Sequence, residues 1–322
     1  MHSHNHNDQH DHSHGGHHHH HVSPGDVVNK AFIAGIVLNS AFVVVQVVMG
    51  IISHSMALLA DAGHNLGDVA SLALSLFAFK LAKTKPTHEY TYGYKKTTIL
   101  ASLTNAVVLL VTIGILGYES FNRLFHPQPV EGGIVAAVAA VGIVINFASA
   151  LFFFRNKDHD LNTKGAFLHM LTDALVSLGV VISGIIIRYT HLYWLDGVTS
   201  IAILITILIG TWSLLTQSLR LSLDAVPVDI DLHEIERTIG SAEGVEGVHH
   251  VHVWAMSTTE TALTMHLVLN DALNFDEKMK VVQKIKHQLL HKDIHHATIE
   301  LESGKAPCGD EVCETPNQTP NA

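Results

Sequence analysis

Six stretches of the chain, at about 30–52, 57–81, 97–121, 132–154, 164–188 and 194–217, stay apolar over the roughly 20 residues that a helix needs to cross a bilayer. The polar segments between them divide by charge. The connection after the second stretch carries Lys80, Lys83, Lys85, Lys95 and Lys96, and the one after the fourth carries Arg155, Lys157 and Lys164. The alternate connections are poor in base, with Ser53-His54-Ser55, then Arg123, then Arg188. Basic loops stay on the cytoplasmic side during insertion, so the pattern predicts six spans with both termini in the cytoplasm. Pro127-Gln128-Pro129 and Gly132-Gly133 break the chain between spans three and four.

After Pro227 the period changes. Short amphipathic elements predict a helix at about 229–241, strands at about 245–257 and 261–270, a helix at about 275–291 and a strand at about 294–302. The α-β-β-α-β order suits a small open sheet with helices on one face, similar to half of a ferredoxin-like fold. The expected architecture is a polytopic α-helical membrane protein of six transmembrane helices with a C-terminal α+β ferredoxin-like cytoplasmic domain. Its expected divisions are a disordered His-rich tail at 1–26, a membrane domain at 27–222, a cytoplasmic domain at 223–305 and a flexible tail at 306–322.

Composition agrees: 48% of the 322 residues are hydrophobic and 15% charged, unlike the charge-rich average of soluble domains. A formal net charge of −10 leaves no basic face for nucleic acid and suits cations. The two cysteines, Cys308 and Cys313, sit together near the C-terminus and read as thiols or metal ligands, not as a disulfide framework. No basic patch or apolar h-region precedes Val27, so a cleaved secretory signal is not expected.

Carboxylates at bilayer depth cost at least about 2.5 kcal/mol at a helix centre and seldom persist there unpartnered. In the second span His64 and Asp68 lie one turn apart on one face, and the fifth span repeats the device with His169 and Asp173. One His-x-x-x-Asp alone would be a solvated face or an interhelical hydrogen bond. Two copies inside apolar spans point to a shared site, and two imidazoles with two carboxylates make a four-ligand set suited to tetrahedral zinc. A metal-free proton relay is the competing reading. Asp61, three residues before His64, is either a supporting partner of the site or a group at its outer mouth. Asn39, Gln46, Asn105 and Asn146 read as interhelical glue or water contacts. A filled coordination shell favours carriage over catalysis, because a catalytic zinc keeps an open position. No Ser-His-Asp set, zinc-hydrolase motif or phosphate loop is evident, so an enzyme is not expected. Histidine binds metal only when neutral, so proton antiport is the expected mechanism.

Histidines also crowd both ends. The tail carries His2, His4, His6, His10, His12, His14 and the run His17 to His21 among Ser, Asn, Asp and Gly, which predicts disorder and metal buffering, with a purification tag as the competing reading of the run. The strands carry His249, His250, His252, His266, His295 and His296, followed by Glu300 and Glu302. His249 and His266 would sit on neighbouring strands, and Cys308 with Cys313 could swing over, which makes a zinc-sensing cytoplasmic site the expectation.

Ala60-Asp61-Ala62-Gly63-His64-Asn65-Leu66-Gly67-Asp68, His169-Met170-Leu171-Thr172-Asp173, Asp196-Gly197 and His249-His250-Val251-His252-Val253-Trp254 together resemble the cation diffusion facilitator family, in particular its zinc-transporting branch, over about 27–305. The resemblance implies a homodimeric zinc/proton antiporter working by alternating access, with His64, Asp68, His169 and Asp173 as the transport site. It implies discrimination against cadmium, which members with Asp in place of the first His accept. Lys96 and Asp224 match a Lys–Asp interaction that interlocks the dimer in relatives. His252, His266, His295 and Glu302 match cytoplasmic ligands of animal relatives, whereas the bacterial pattern points to His249 and His266. Cys308 and Cys313 resemble a terminal thiol pair with wider spacing. A further site that bacterial relatives build from a His-x-Phe-Gly-His pattern is expected to be missing, because Tyr90 and Tyr94 replace its histidines and leave His88 and Glu89 as a remnant.

The expected protein therefore exports zinc in exchange for protons across a bacterial inner membrane. It needs no cofactor beyond zinc as transported and regulatory ion, and its partners are lipid and a second copy. The competing readings are a membrane-anchored zinc sensor and a carrier of cadmium, manganese, iron, cobalt or nickel.

Overall fold

The computed structural model describes residues 30–154 and 161–304, with side chains described over 37–148 and 171–304. Six long helices come first: α1 (Lys30–Ile52), α2 (Met56–Ala82), α3 (Thr97–Phe125), α4 (Gly132–Phe154), α5 (Leu161–Thr190) and α6 (Trp194–Ser222). They fall on the six predicted stretches and run a few residues past several of them. Among the described residues, α2, α3, α6 and the Leu171–Thr190 part of α5 are long and apolar enough to cross a membrane, whereas the described apolar parts of α1 and α4, Val37–Ile52 and Gly132–Ala148, are shorter. Val44, Phe77, Ile115, Val144 and Ile209 are all more than half exposed on the bundle surface. Such a ring of apolar side chains is a surface for lipid, since water would penalise it.

Lipid tails are as apolar as leucine, so helices in a bilayer associate through close packing and interhelical hydrogen bonds. Both devices are present. A Cβ placed on Gly184 of α5 would lie 2.8 Å from the Gly132 carbonyl oxygen and 2.8 Å from the Ala136 nitrogen of α4, so these backbones touch only because the residue is glycine. Between α3 and α6 the Ser120 and Ser200 hydroxyls are 2.6 Å apart. Asp196, at the start of α6, caps a different helix. It accepts from Ser55 Oγ at 2.5 Å and from the Met56 and Ala57 amides at 2.6 and 3.3 Å, which satisfies the orphan N–H groups at the start of α2.

The C-terminal part contains α7 (Leu232–Gly240), β1 (Val245–Ala255), β2 (Thr261–Leu269), α8 (Phe275–Leu290) and β3 (Ile294–Ser303). The sheet order is β1-β2-β3, with β1 and β2 antiparallel and β2 and β3 parallel. Asp231 caps α7 by accepting from the His233 and Glu234 amides, so the helix begins a little after the predicted start. Asn274 and Glu277 form a capping box on α8. Strand alternation puts Leu263, Met265, Leu267 and Leu269 of β2 into one core with Ile235 and Ile239 of α7 and Val282, Ile285 and Leu289 of α8. Both helices thus cover the same face of the sheet, and the other face is left to polar residues.

The β1–β2 turn docks on the end of α3. Lys95 pairs with Glu260, and the Thr258 amide donates to Thr98 Oγ1 at 3.0 Å. The end of the helical bundle that carries Lys95 and Lys96 is therefore the end that carries the C-terminal part.

Candidate metal centres

α2 and α5 lean together at bilayer depth and bring side chains 109 residues apart in sequence into contact: His64 Nε2 lies 3.0 Å from Asp173 Oδ1. The same nitrogen is 3.9 Å from Asp68 Oδ2, one turn further along α2. Ligand atoms of His64, Asp68 and Asp173 all lie within 4.8 Å of one another. Oxygen and imidazole lone pairs that converge on one point repel unless a cation stands between them, which is what a proton or a divalent metal supplies. His169 lies in α5 one turn before Asp173, and its side chain is outside the described residues.

These groups sit at the blind end of a cavity of about 290 Å³ between α2, α3, α5 and α6, whose wall also includes Ser71, Thr172 and Thr211. The cavity runs to Leu214, which also borders the space under the C-terminal part. It therefore opens toward the end of the bundle that carries that part. The opposite end is packed shut: Met56, Ala57, Leu58 and Ala60 of α2 are all 3% exposed or less.

Directly on the closed side of His64, Asp68 and Asp173 lies a second polar layer. Asp61, 1% exposed, accepts from Gln46 Nε2 of α1 at 2.6 Å and from Ser177 Oγ of α5 at 3.5 Å. Gln46 Oε1 in turn accepts from Asn65 Nδ2 at 3.0 Å. The position of Asp61, open in the sequence, is thereby settled as buried beneath the site. Gln46 is glue, as expected for a polar residue in the run Val43-Val44-Val45-Gln46-Val47-Val48. The pairing of Gln46 with Asp61, and the part played by Ser177, have no sequence signal.

A second cluster lies on the uncovered face of the C-terminal sheet. His249 of β1 pairs with His266 of β2 in register, and Glu302 of β3 reaches both. Its Oε2 is 3.1 Å from His249 Nε2 and its Oε1 is 2.7 Å from His266 Nδ1. Glu300 Oε2 is 3.5 Å from His266 Nε2. A β-bulge between His249 and His252, with His250 at a φ of 49°, makes this possible. Val248 and Val251 both pack on the core although an odd step separates them, so one residue must bulge out. The bulge leaves the His250 ring 4.9 Å from that of His266, a placement that strand alternation alone does not predict. His252, opposite Thr264, and His295, at the start of β3, are exposed and stand outside the cluster. Cys308 and Cys313 lie outside the described residues.

Residues 32–221 match the cation efflux transmembrane domain, and residues 227–304 match the cytoplasmic domain of cation efflux proteins. The chain belongs to the cation efflux family. Within it, this cation efflux protein is 38% identical over 84% of its length to the metal cation efflux system protein CzcD of Cupriavidus metallidurans, covering 85% of that relative. It is 36% identical over 86% of its length to the zinc transporter ZitB of Escherichia coli, covering 87% of it. It is 32% identical over 85% of its length to a cadmium, cobalt and zinc/H(+)-K(+) antiporter of Bacillus subtilis, covering 89% of it. These names place the cation efflux protein in the zinc branch of the cation diffusion facilitators. A solved metal-bound C-terminal domain of the Cupriavidus CzcD transporter is 38% identical and covers 23% of this chain and 99% of its own, with a TM-score of 0.21.

Two further expectations concern the junction between the parts of this cation efflux protein. Lys96 Nζ donates to Asp224 Oδ1 at 2.6 Å within one chain, between the residue before α3 and the second residue beyond α6. Tyr90 and Tyr94, expected from the sequence to stand in place of the two histidines of the bacterial loop pattern, meet in a tilted contact with ring centroids 4.8 Å apart. Tyr92 of the same loop meets the His296 ring of β3 edge-on at 5.4 Å.

Proposed function

We propose that this protein is a secondary active transporter that exports zinc from the cytoplasm in exchange for protons by alternating access. The observation that carries the proposal is the meeting of His64 and Asp68 of α2 with Asp173 of α5 at the blind end of a cavity at bilayer depth. His169, one turn from Asp173 on α5, completes a two-imidazole, two-carboxylate set of the tetrahedral kind that zinc prefers. The names of the Cupriavidus, Escherichia and Bacillus relatives support the same reading.

All six helices cross the inner membrane of a bacterium, and both termini face the cytoplasm, as the loop charges require. In that orientation the cavity faces inward, so cytoplasmic zinc reaches the ligands directly. Each imidazole must be neutral to bind the ion, so protons that arrive from outside release it there and reset the site. The cytoplasmic domain joins two copies, with Lys96 and Asp224 at the base of the interface. His249, His266 and Glu302 form its zinc-sensing site, and His252, His295, Cys308 and Cys313 are further candidate ligands for it.

Purified protein in inside-out vesicles tests this reading. Zinc should accumulate when the lumen is acid, and Asp68→Ala or Asp173→Ala should abolish accumulation. Zinc flux indifferent to the pH gradient, or retained in those variants, overturns it. Because the Bacillus relative carries cadmium and cobalt in its name, the same vesicles are assayed with both ions, and equal rates for all three would make the protein a broad divalent carrier.

A further inference from the structure

Asp61 has no place in the transport site proposed above, yet it is the most confined carboxylate near it. It is 1% exposed, and Gln46 Nε2 and Ser177 Oγ, which donate hydrogen bonds to it, are both neutral. The charged groups that face it are His64 of its own helix and Asp173 of α5. A buried carboxylate held by neutral donors at bilayer depth is poorly compensated, and it gains most from a cation when one comes within reach.

Its place in the bundle gives the direction. Asp61 is three residues before His64 on α2, and Ser177 is four residues after Asp173 on α5. Because the two helices run in opposite senses, both steps lead away from the open cavity by about one turn, roughly 5 Å. The layer of Asp61 and Ser177 therefore stacks on the layer of His64 and Asp173, on the side that is closed. Gln46 of α1 spans this outer layer and bonds Asp61 through its amide nitrogen and Asn65 through its oxygen. Asp61 is held from α1 and from α5, so one way to open the closed side is to part α1 or α5 from α2. Either movement removes a neutral donor from Asp61.

We propose that Asp61 is the next cation-binding carboxylate on the outward path, masked by Gln46 while the cavity is open inward. When the bundle opens outward the mask leaves, and zinc passes from His64, Asp68 and Asp173 toward Asp61 and then to the exterior. Gln46 is a positioning residue in this scheme and touches no ion. The inference rests on the transport reading above.

The test compares full-length wild type, Asp61→Asn, Gln46→Leu and Asp173→Ala in the same vesicles, with zinc binding measured on the solubilised proteins. Asp61→Asn should bind zinc within threefold of wild type but turn over at least tenfold more slowly, with KM little changed. Gln46→Leu should keep at least a third of wild-type turnover, since it removes only the mask. Wild-type turnover in Asp61→Asn overturns the inference. So does a loss in Gln46→Leu as large as that in Asp61→Asn, because the layer would then be helix packing and nothing more. Should Asp61→Asn fail to assemble, Asp61→Ser, which can still hydrogen-bond Gln46, carries the same comparison. Absence of zinc movement by wild type would overturn the transport reading itself, whereas wild-type flux matched by Asp61→Asn overturns this inference alone.

Discussion

Two clusters of imidazole and carboxylate occupy this protein, one between α2 and α5 and one across β1, β2 and β3, and they are assembled in opposite ways. In the helical cluster each element contributes groups one turn apart, and the tertiary fold need only bring two faces together. In the sheet cluster the groups come from three strands, so those strands must hold register and a bulge must fall at one place. Surroundings differ as well. Asp173 is 5% exposed on its side chain and sits among apolar helices, so removing it takes the nearer of two carboxylates from His64 at bilayer depth. At the sheet cluster Glu302 is 14% exposed and Glu300 69%, so that cluster lies at the surface of its domain, where water reaches its rim and can take over from a partner missing there. The first cluster should therefore be intolerant and the second tolerant of substitution.

The sharpest test of that contrast is Asp173→Ala, expected to lower zinc flux by about 100-fold or more, since loss of a ligand costs more than the ~10–100-fold typical of a supporting partner. Flux in vesicles, with assembly checked by size-exclusion chromatography, decides it. A retained flux would erase the difference between the clusters. Next, His64→Asp exchanges an imidazole for a third carboxylate. It should raise the cadmium-to-zinc rate ratio by about tenfold, a shift that follows ligand type and that competition assays read directly. At the sheet cluster, Glu302→Gln should weaken one cytoplasmic zinc site per chain by about tenfold while flux stays within about threefold. Isothermal titration of the full-length protein and vesicle flux give the two numbers, and a collapse of flux would show that the cytoplasmic site is part of the pathway. The smallest effect is expected at the junction. Lys96→Ala removes an exposed pair with Asp224 and should cost under about 1 kcal/mol of stability, read as a shift of no more than a few degrees in thermal unfolding.

The legibility of the two regions follows the same division. His64 with Asp68, and His169 with Asp173, could be paired from sequence because the helix fixes which residues share a face four apart. The six apolar stretches and the order of the C-terminal elements were legible for the same reason, whereas the caps Asp231 and Asn274, which set where α7 and α8 begin, were not. On the sheet, His249 and His266 were foreseeable as neighbours, but the bulge at His250 was not. Strand alternation assigns faces only while the register holds, and here one extra residue lets Val248 and Val251 share a core. Exposed His252 and His295 looked equivalent to His249 in sequence, and only register separates them from Glu302.

Hydropathy and spacing by themselves thus marked the helices found among the described residues and paired His64 with Asp68 and His169 with Asp173 on candidate metal-binding faces, because these are properties of one element and its solvent. What the tertiary structure alone decided is which elements meet. Gln46 reaches Asp61 across 15 residues, and Asp196 caps the start of α2 from about 140 residues away. Neither partner is marked by any local period. A carboxylate buried at bilayer depth must find a donor, but sequence says only that the need exists, and the packing of α1, α5 and α6 around α2 says who meets it.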